Sequence, residues 1–267
     1  MTKPMNRNVH LLGSGNAFLP HGRTHSLSLI EPGILIDAPP TALWSLRSAN
    51  HSPSQVSTIL ITHLHGDHVF GFPFLLLERR YISDRAGDHP LTVVIDEASK
   101  DGLIGLARAA YPGSLEEPLS RIRWVHAASG EIDGTGWTFE RHRVHHSQEV
   151  HPHGYILRSD AGVVAHSGDS GPCHAIEMMA EEADLMILEM GLPPWVDQDE
   201  HHRPDDVLAL ARRHPSTSFL ITHTWVDDPA SIHPPILPSD LPDFPANVHL
   251  GVDGTNVGLD AGSVVLE

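Results

Sequence analysis

Seven residues constrain this chain more than any others. Thr62-His63-Leu64-His65-Gly66-Asp67-His68 places four metal-ligating side chains directly after the apolar run Val56-Ser57-Thr58-Ile59-Leu60-Ile61. A short apolar run rich in β-branched residues reads as a strand, so the pattern predicts a strand whose end delivers a metal site. Imidazole suits zinc and its first-row neighbours, and the Asp67 carboxylate adds a harder, negatively charged oxygen that can help hold a second ion. A chain with 22 His produces some clusters by chance, but an H-x-H-x-D-H spacing at a strand end points to metal chemistry.

The same apolar-run-then-ligand pattern recurs. Ile34-Leu35-Ile36 ends in Asp37, Val163-Val164-Ala165 leads into His166-Ser167-Gly168-Asp169, and Phe219-Leu220-Ile221-Thr222 ends in His223. Further strands are expected at 9–12, 26–30, 91–95, 122–125, 137–142, 155–157 and 185–188. Helices are expected at 40–48, 69–77, 100–111, 175–183 and 204–213, the last opened by Pro204, which is favourable in a first turn. Strands in both halves with helices between them suggest two sheets packed face to face with helices outside. No repeat or composition shift divides the chain, so one domain over 1–267 is expected; that length allows a core burying roughly three quarters of the unfolded surface.

Lys and Arg total 17 against 34 Asp and Glu, a formal charge of −17. Nucleic-acid affinity rests largely on phosphate neutralisation by Lys and Arg, so this balance disfavours a nucleic-acid partner. Cys173 is the only cysteine, which rules out an intrachain disulfide and leaves His and carboxylates as the metal ligands. The first residues lack the apolar core of a signal peptide, and no run approaches 18 apolar residues, so a soluble cytoplasmic protein without membrane contact is expected.

Taken in order, these motifs resemble the metallo-β-lactamase fold superfamily, which implies an α/β protein: an αββα four-layer sandwich of two mixed β-sheets with outer helices. By that resemblance His63, His65 and His146 would hold one metal, and Asp67, His68 and His223 the other, with Asp169 bridging and Asp37 supporting the metal loop. His145 and His151 compete with His146 for the third motif. Leu12-Gly13-Ser14-Gly15 and the extended match from His63 to Pro73 are similar to the ribonuclease Z and phosphodiesterase branch. In that branch a histidine three residues before a helix-opening proline contacts the scissile phosphate or protonates the leaving group; His201 fits, with His202 as the alternative.

The stretch between Gly154 and Asp169 is too short for the long arm that many ribonuclease Z enzymes use to grip transfer RNA, and Thr222-His223-Thr224-Trp225 lacks their usual sequence. The resemblance and the acidic charge together imply a hydrolase with two divalent ions, zinc by default and manganese or iron also compatible. Its substrate would be a small anionic phosphodiester or cyclic nucleotide, attacked by a metal-bridging hydroxide, with Asp67 and His201 as catalytic residues. The alternatives are ribonuclease Z-like RNA 3′-processing, hydrolysis of a lactone, thioester or β-lactam, and a metal-binding or sensing protein without turnover. His21 and His25, in a Gly/Pro-containing loop near the opening glycines, read first as surface residues and alternatively as bordering the pocket; Tyr155 reads as core. Trp225 and the proline-rich stretch 227–245 would wall the pocket or form a homodimer contact.

Overall fold

The computed structural model describes residues 7–87, 89–228 and 241–266. Apolar runs bounded by Gly, Pro and Asp form β1 (Asn8–Gly13), β2 (Leu27–Ile30), β3 (Ile34–Ile36), β4 (Thr58–Leu60), β5 (Thr92–Val94) and β6 (Arg123–Val125) of a first sheet. The chain then builds a second sheet from β7 (Ser129–Ile132), β8 (Trp137–Arg143), β9 (His153–Ser159), β10 (Gly162–His166), β11 (Leu185–Glu189), β12 (Ser218–Thr222) and β13 (Val248–Leu250). It returns to the first sheet with β14 (Thr255–Asp260) and β15 (Ser263–Leu266). The strand orders are β15-β14-β1-β2-β3-β4-β5-β6 and β13-β12-β11-β10-β9-β8-β7.

Both sheets are mixed. β3 to β6 run parallel and the rest of the first sheet antiparallel; β10 to β13 run parallel and β7 to β10 antiparallel. Between them lies a core that includes Leu11, Ile34, Leu60 and Val94 from one sheet and Trp137, Tyr155, Leu157, Ile187 and Leu220 from the other. The helices α1 (Ala42–Ser48), α2 (Gly66–Val69), α3 (Phe72–Tyr81), α4 (Glu97–Ala110) and α5 (Glu116–Arg121) follow strands of the first sheet, whose outer face packs on α1, α3, α4 and α5. α6 (His174–Glu182) and α7 (Pro204–Arg213) cover the second sheet. This is the expected αββα sandwich. With helices on one face and the other sheet on the other, β4 and β11 are buried at every residue, as parallel strands covered on both faces require.

Parallel register puts the chemistry on one edge. Ile36 pairs with Leu60 and Leu60 with Val94, so Asp37 and the His63 loop emerge side by side. Glu189 pairs with Thr222, which aligns the end of β11 with His223. Ligands gather beyond the carboxyl ends of parallel strands because the loops there converge on a crevice between the layers.

Two expectations need correction. The apolar stretch 69–77 is not one helix: α2 ends at Val69 and α3 begins at Phe72. At the break, Gly71 N–H donates to Ala38 O at 2.8 Å, and a Cβ on Gly71 would sit 1.8 Å from Pro39 O. This close passage of two backbones interrupts the helix. Second, β7, β13, β14 and β15 form strands where none is expected; β7 and β14 carry Gly and acidic residues, and β13 and β15 are only three and four residues long. Among the described residues no helix is long and apolar enough to cross a membrane. Most of the proline-rich stretch 227–245 lies outside the described residues.

Candidate metal centre

Asp37 organises the first part of the site. It occupies the left-handed region at φ 67°, a strained conformation for a residue with a side chain. Its Oδ1 accepts from Thr62 N–H at 2.8 Å, and its Oδ2 accepts from the Thr62 hydroxyl at 2.7 Å. With its proton committed to Asp37, the Thr62 oxygen can accept from His63 Nδ1 at 3.0 Å. His68 Nδ1 lies 2.8 Å from Asp37 Oδ2. One carboxylate thus holds the Nδ1 edge of His68 directly and that of His63 through Thr62, leaving both Nε2 atoms facing inward, the usual way a protein orients metal-binding imidazoles.

The inward atoms fall into two groups that share Asp169. His63, His65, His146 and Asp169 form one, and Asp67, His68, Asp169 and His223 the other, with donor atoms in each within 4.8 Å of one another. His65 Nδ1 lies 3.1 Å from both His63 Nε2 and His146 Nε2, and His63 Nε2 is 3.7 Å from Asp169 Oδ2. His68 Nε2 is 3.3 Å from Asp169 Oδ1 and 3.5 Å from Asp67 Oδ2. His223 Nε2, on a residue at φ 47°, is 3.2 Å from Asp67 Oδ2 and 3.4 Å from Asp169 Oδ2.

These spacings fit metals. Ligands 2.0–2.1 Å from a tetrahedral zinc stand about 3.3–3.4 Å apart. Two buried atoms that face each other, His68 Nε2 and Asp169 Oδ1, have no hydrogen-bond partner. Burial opposes the charged form of Asp169, yet the cationic character of His223 and His68 holds its carboxyl well below the usual range. Asp67 is likewise held low against burial, by a hydrogen bond from His223 and by His68. Burial depresses His63, helped by the charge of His68. His68 goes the other way: against burial, the carboxylates of Asp169 and Asp37 raise it well above an ordinary histidine. The pocket favours carboxylate anions with positive charge beside them, which divalent ions would supply.

Of the third-motif candidates, His146 reaches the cluster. Its Nδ1 is 3.1 Å from Glu200 O, leaving Nε2 inward. His145 instead faces Asp199 at 3.3 Å, half exposed, and the His151 carbonyl serves His153 Nδ1 at 2.7 Å. His201 also faces the site, its ring stacked on His223 at 5.8 Å and edge-on to His146 at 4.7 Å. His202 is buried with Nδ1 2.6 Å from Ser170 O, away from the cluster. His25 is buried rather than at the surface, and burial lowers its affinity for a proton. His21 is exposed, Tyr155 is fully buried, and Trp225 is buried with its ring against Trp195.

One residue escaped the sequence reading. Glu189, buried at the end of β11, puts Oε1 2.9 Å from His201 Nδ1 and accepts from Ser170 N–H at 3.0 Å and His202 N–H at 3.2 Å. Burial works against a charged His201, but the Glu189 carboxylate pushes it up to about 9. The signal was present: Leu185-Met186-Ile187-Leu188 ends in a carboxylate as Ile34-Leu35-Ile36 does.

The sequence model of the family described as Anti-Pycsar protein Apyc1 matches residues 8–192, more than half of the chain. The chain belongs to that family. The Apyc1 match includes Asp37, the His63–His68 segment, His146, Asp169 and Glu189, whereas His201 and His223 lie beyond it. This Apyc1 family member also has relatives in the ribonuclease Z group. Ribonuclease Z of Bacillus licheniformis is 26% identical over 220 residues, covering 64% of this chain and 71% of that protein. Human zinc phosphodiesterase ELAC protein 2 is 26% identical over 251 residues, covering 80% of this chain and 29% of that longer protein. The solved structure of YhfI from Bacillus subtilis, a metallo-β-lactamase fold protein 17% identical to this chain, covers 94% of this chain and 98% of its own at a TM-score of 0.69. A diphosphatase of the PhnP family, 17% identical, covers 97% of this chain and 99% of its own at a TM-score of 0.71. The fold is therefore the metallo-β-lactamase fold.

Proposed function

We propose that this protein is a dinuclear metal-dependent phosphodiesterase acting on small phosphodiesters or cyclic nucleotides, formed as one domain over residues 1–267. The observation that carries this reading is the pair of donor sets joined at Asp169. His63, His65 and His146 would hold one divalent ion and Asp67, His68 and His223 the other, with Asp169 between them. Zinc is the first candidate, since the set is rich in imidazole and a human relative is named a zinc phosphodiesterase. When bound, such ions lower the pKa of water towards roughly 7 and offset the charge of a phosphodiester.

The remaining chemistry belongs to the chain's own residues. Asp37 orients His63 and His68 through the hydrogen bonds at Thr62 and His68 Nδ1. Asp67 and Asp169 set the charge of the pocket. Glu189 holds His201 by Nδ1, so that Nε2 is available to a substrate oxygen. There His201 would give its proton to the leaving alkoxide, a transfer that general acids typically accelerate about 10²–10⁴-fold.

Ribonuclease Z-like processing is the second reading, favoured by the 26% identity to a ribonuclease Z over 220 residues. The charge of −17 weighs against a polyanionic substrate. The deciding assay measures hydrolysis of bis-p-nitrophenyl phosphate, cyclic nucleotides and a precursor transfer RNA by metal-counted protein. Metal-dependent turnover of the small esters, lost in D67A, is expected. Fully loaded protein that cleaves none of the small phosphodiesters would sink the proposal, and selective cleavage of the RNA would favour the second reading.

A further inference from the structure

At the other end of β3 from Asp37, a second group of metal donors converges among the described residues. His10 comes from β1, Glu31 from the turn between β2 and β3, and His51 from the loop after α1. One donor atom of each lies within 4.8 Å of the other two. The rings of His10 and His51 have centroids 5.4 Å apart, and His10 Nε2 is 3.3 Å from Glu31 Oε1.

The hydrogen bonding makes this more than proximity. His10 Nδ1 lies 2.5 Å from Asn256 Oδ1, an acceptor, so Nδ1 carries the proton. A neutral His10 then presents a bare Nε2 lone pair to the Glu31 carboxylate. That nitrogen is buried and has no hydrogen-bond partner. Two acceptors facing each other in a partly buried place are relieved by a positive charge between them, either a proton on the ring or a metal ion. A proton on His10 would serve that pair alone and leave the lone pair of His51 unused. A dication engages both imidazoles and the carboxylate together.

We propose that His10, Glu31 and His51 form a third metal site, separate from the edge cluster, that takes a first-row transition dication such as zinc. Small rotations of the partly buried Glu31 and His51 side chains bring the donors to coordination distances of about 2.0–2.2 Å. Solvent completes the shell from the narrow cleft bordered by Glu31, Pro32, Gly33, His51, Ser52 and Gln55. An ion here ties β1, the β2–β3 turn and the α1–β4 loop together, and its binding free energy adds to fold stability in proportion to its selectivity for the native state.

The test uses the full chain, stripped of metal, incubated with zinc alone, desalted and measured for bound zinc per chain. Wild type is compared with H51A and with E31Q, the second guarding against any misfolding of the first. Both variants should hold one zinc fewer than wild type and show a smaller zinc-induced rise in Tm, with turnover of bis-p-nitrophenyl phosphate unchanged. Equal zinc content in all three proteins would overturn the proposal, because the His10–Glu31 contact would then be a protonated ion pair only.

Discussion

Glu189 Oε1 lies 2.9 Å from His201 Nδ1, and this contact joins the end of a buried strand to the rim of the candidate metal centre. The carboxylate fixes which ring nitrogen faces the cluster and favours the protonated ring. E189Q removes the charge while keeping the shape. Activity should fall roughly 10²-fold, within the range of a lost general acid, with bound metal unchanged. The alkaline limb of the pH profile should also move to lower pH, because His201 loses the partner that pushes it up to about 9. A kinetic pH titration with metal analysis checks this; an unaltered profile would place Glu189 outside proton transfer.

Asp37 touches no metal donor atom of its own, yet it fixes two histidines through Thr62 and His68. D37A should therefore weaken metal affinity about 10–100-fold, the usual cost of removing a partner that orients ligands. Competition with a chromophoric chelator measures the change. Affinity equal to wild type would show that the imidazoles are held by packing alone.

Asp169 is within 3.7 Å of nitrogens from both donor sets, unlike Asp67, which faces only His68 and His223. D169A should lower occupancy at both positions and D67A chiefly at one, so elemental analysis should find less metal in D169A. Identical losses in the two variants would contradict a shared carboxylate.

The positions most legible in the sequence were those where an apolar strand runs straight into a candidate ligand. His63 to His68, Asp169 and His223 all follow β4, β10 or β12, because strand order alone brings such ends to one edge. His146 was harder: it follows β8 by three residues, and whether it or His145 turns inward depends on a carbonyl from Glu200, 54 residues away. Glu189 had the right local pattern but no nearby histidine in sequence, since its partner comes from the segment before α7. The break at Gly71 was invisible because its cause is a carbonyl of another segment, at Pro39.

Acid should destabilise the fold through His166. This ring is fully buried, its Nδ1 accepts from Gly168 N–H at 3.0 Å, and burial pushes it down to about 4. The unfolded chain takes up the proton near pH 6.5 and the folded one only near 4, so the contribution is complete above about 6.5 and lost as pH falls towards 4. The full loss is on the order of 3 kcal/mol, at about 1.4 kcal/mol per pH unit. Urea unfolding of H166Q should show a shallower pH dependence across this window than wild type, while metal-linked terms common to both proteins cancel. Parallel curves would exclude His166 as a source.

Gly71 tests how far the fold and the site depend on one close approach. Its φ of −81° suits any residue, so G71A introduces no backbone strain of its own. The added methyl would nevertheless stand 1.8 Å from Pro39 O and 2.8 Å from Ala38 O, against backbone that cannot rotate away. Overpacking of this kind typically costs about 1–3 kcal/mol. The relief must come from moving 38–39 away from the start of α3, and Asp37 is the next residue back. G71A should accordingly lose metal affinity as well as Tm, although its side chain contacts no ligand. Chelator competition on the folded variant measures the first and thermal unfolding the second. A drop in Tm with wild-type metal affinity would show that Asp37 is anchored independently of the helix break.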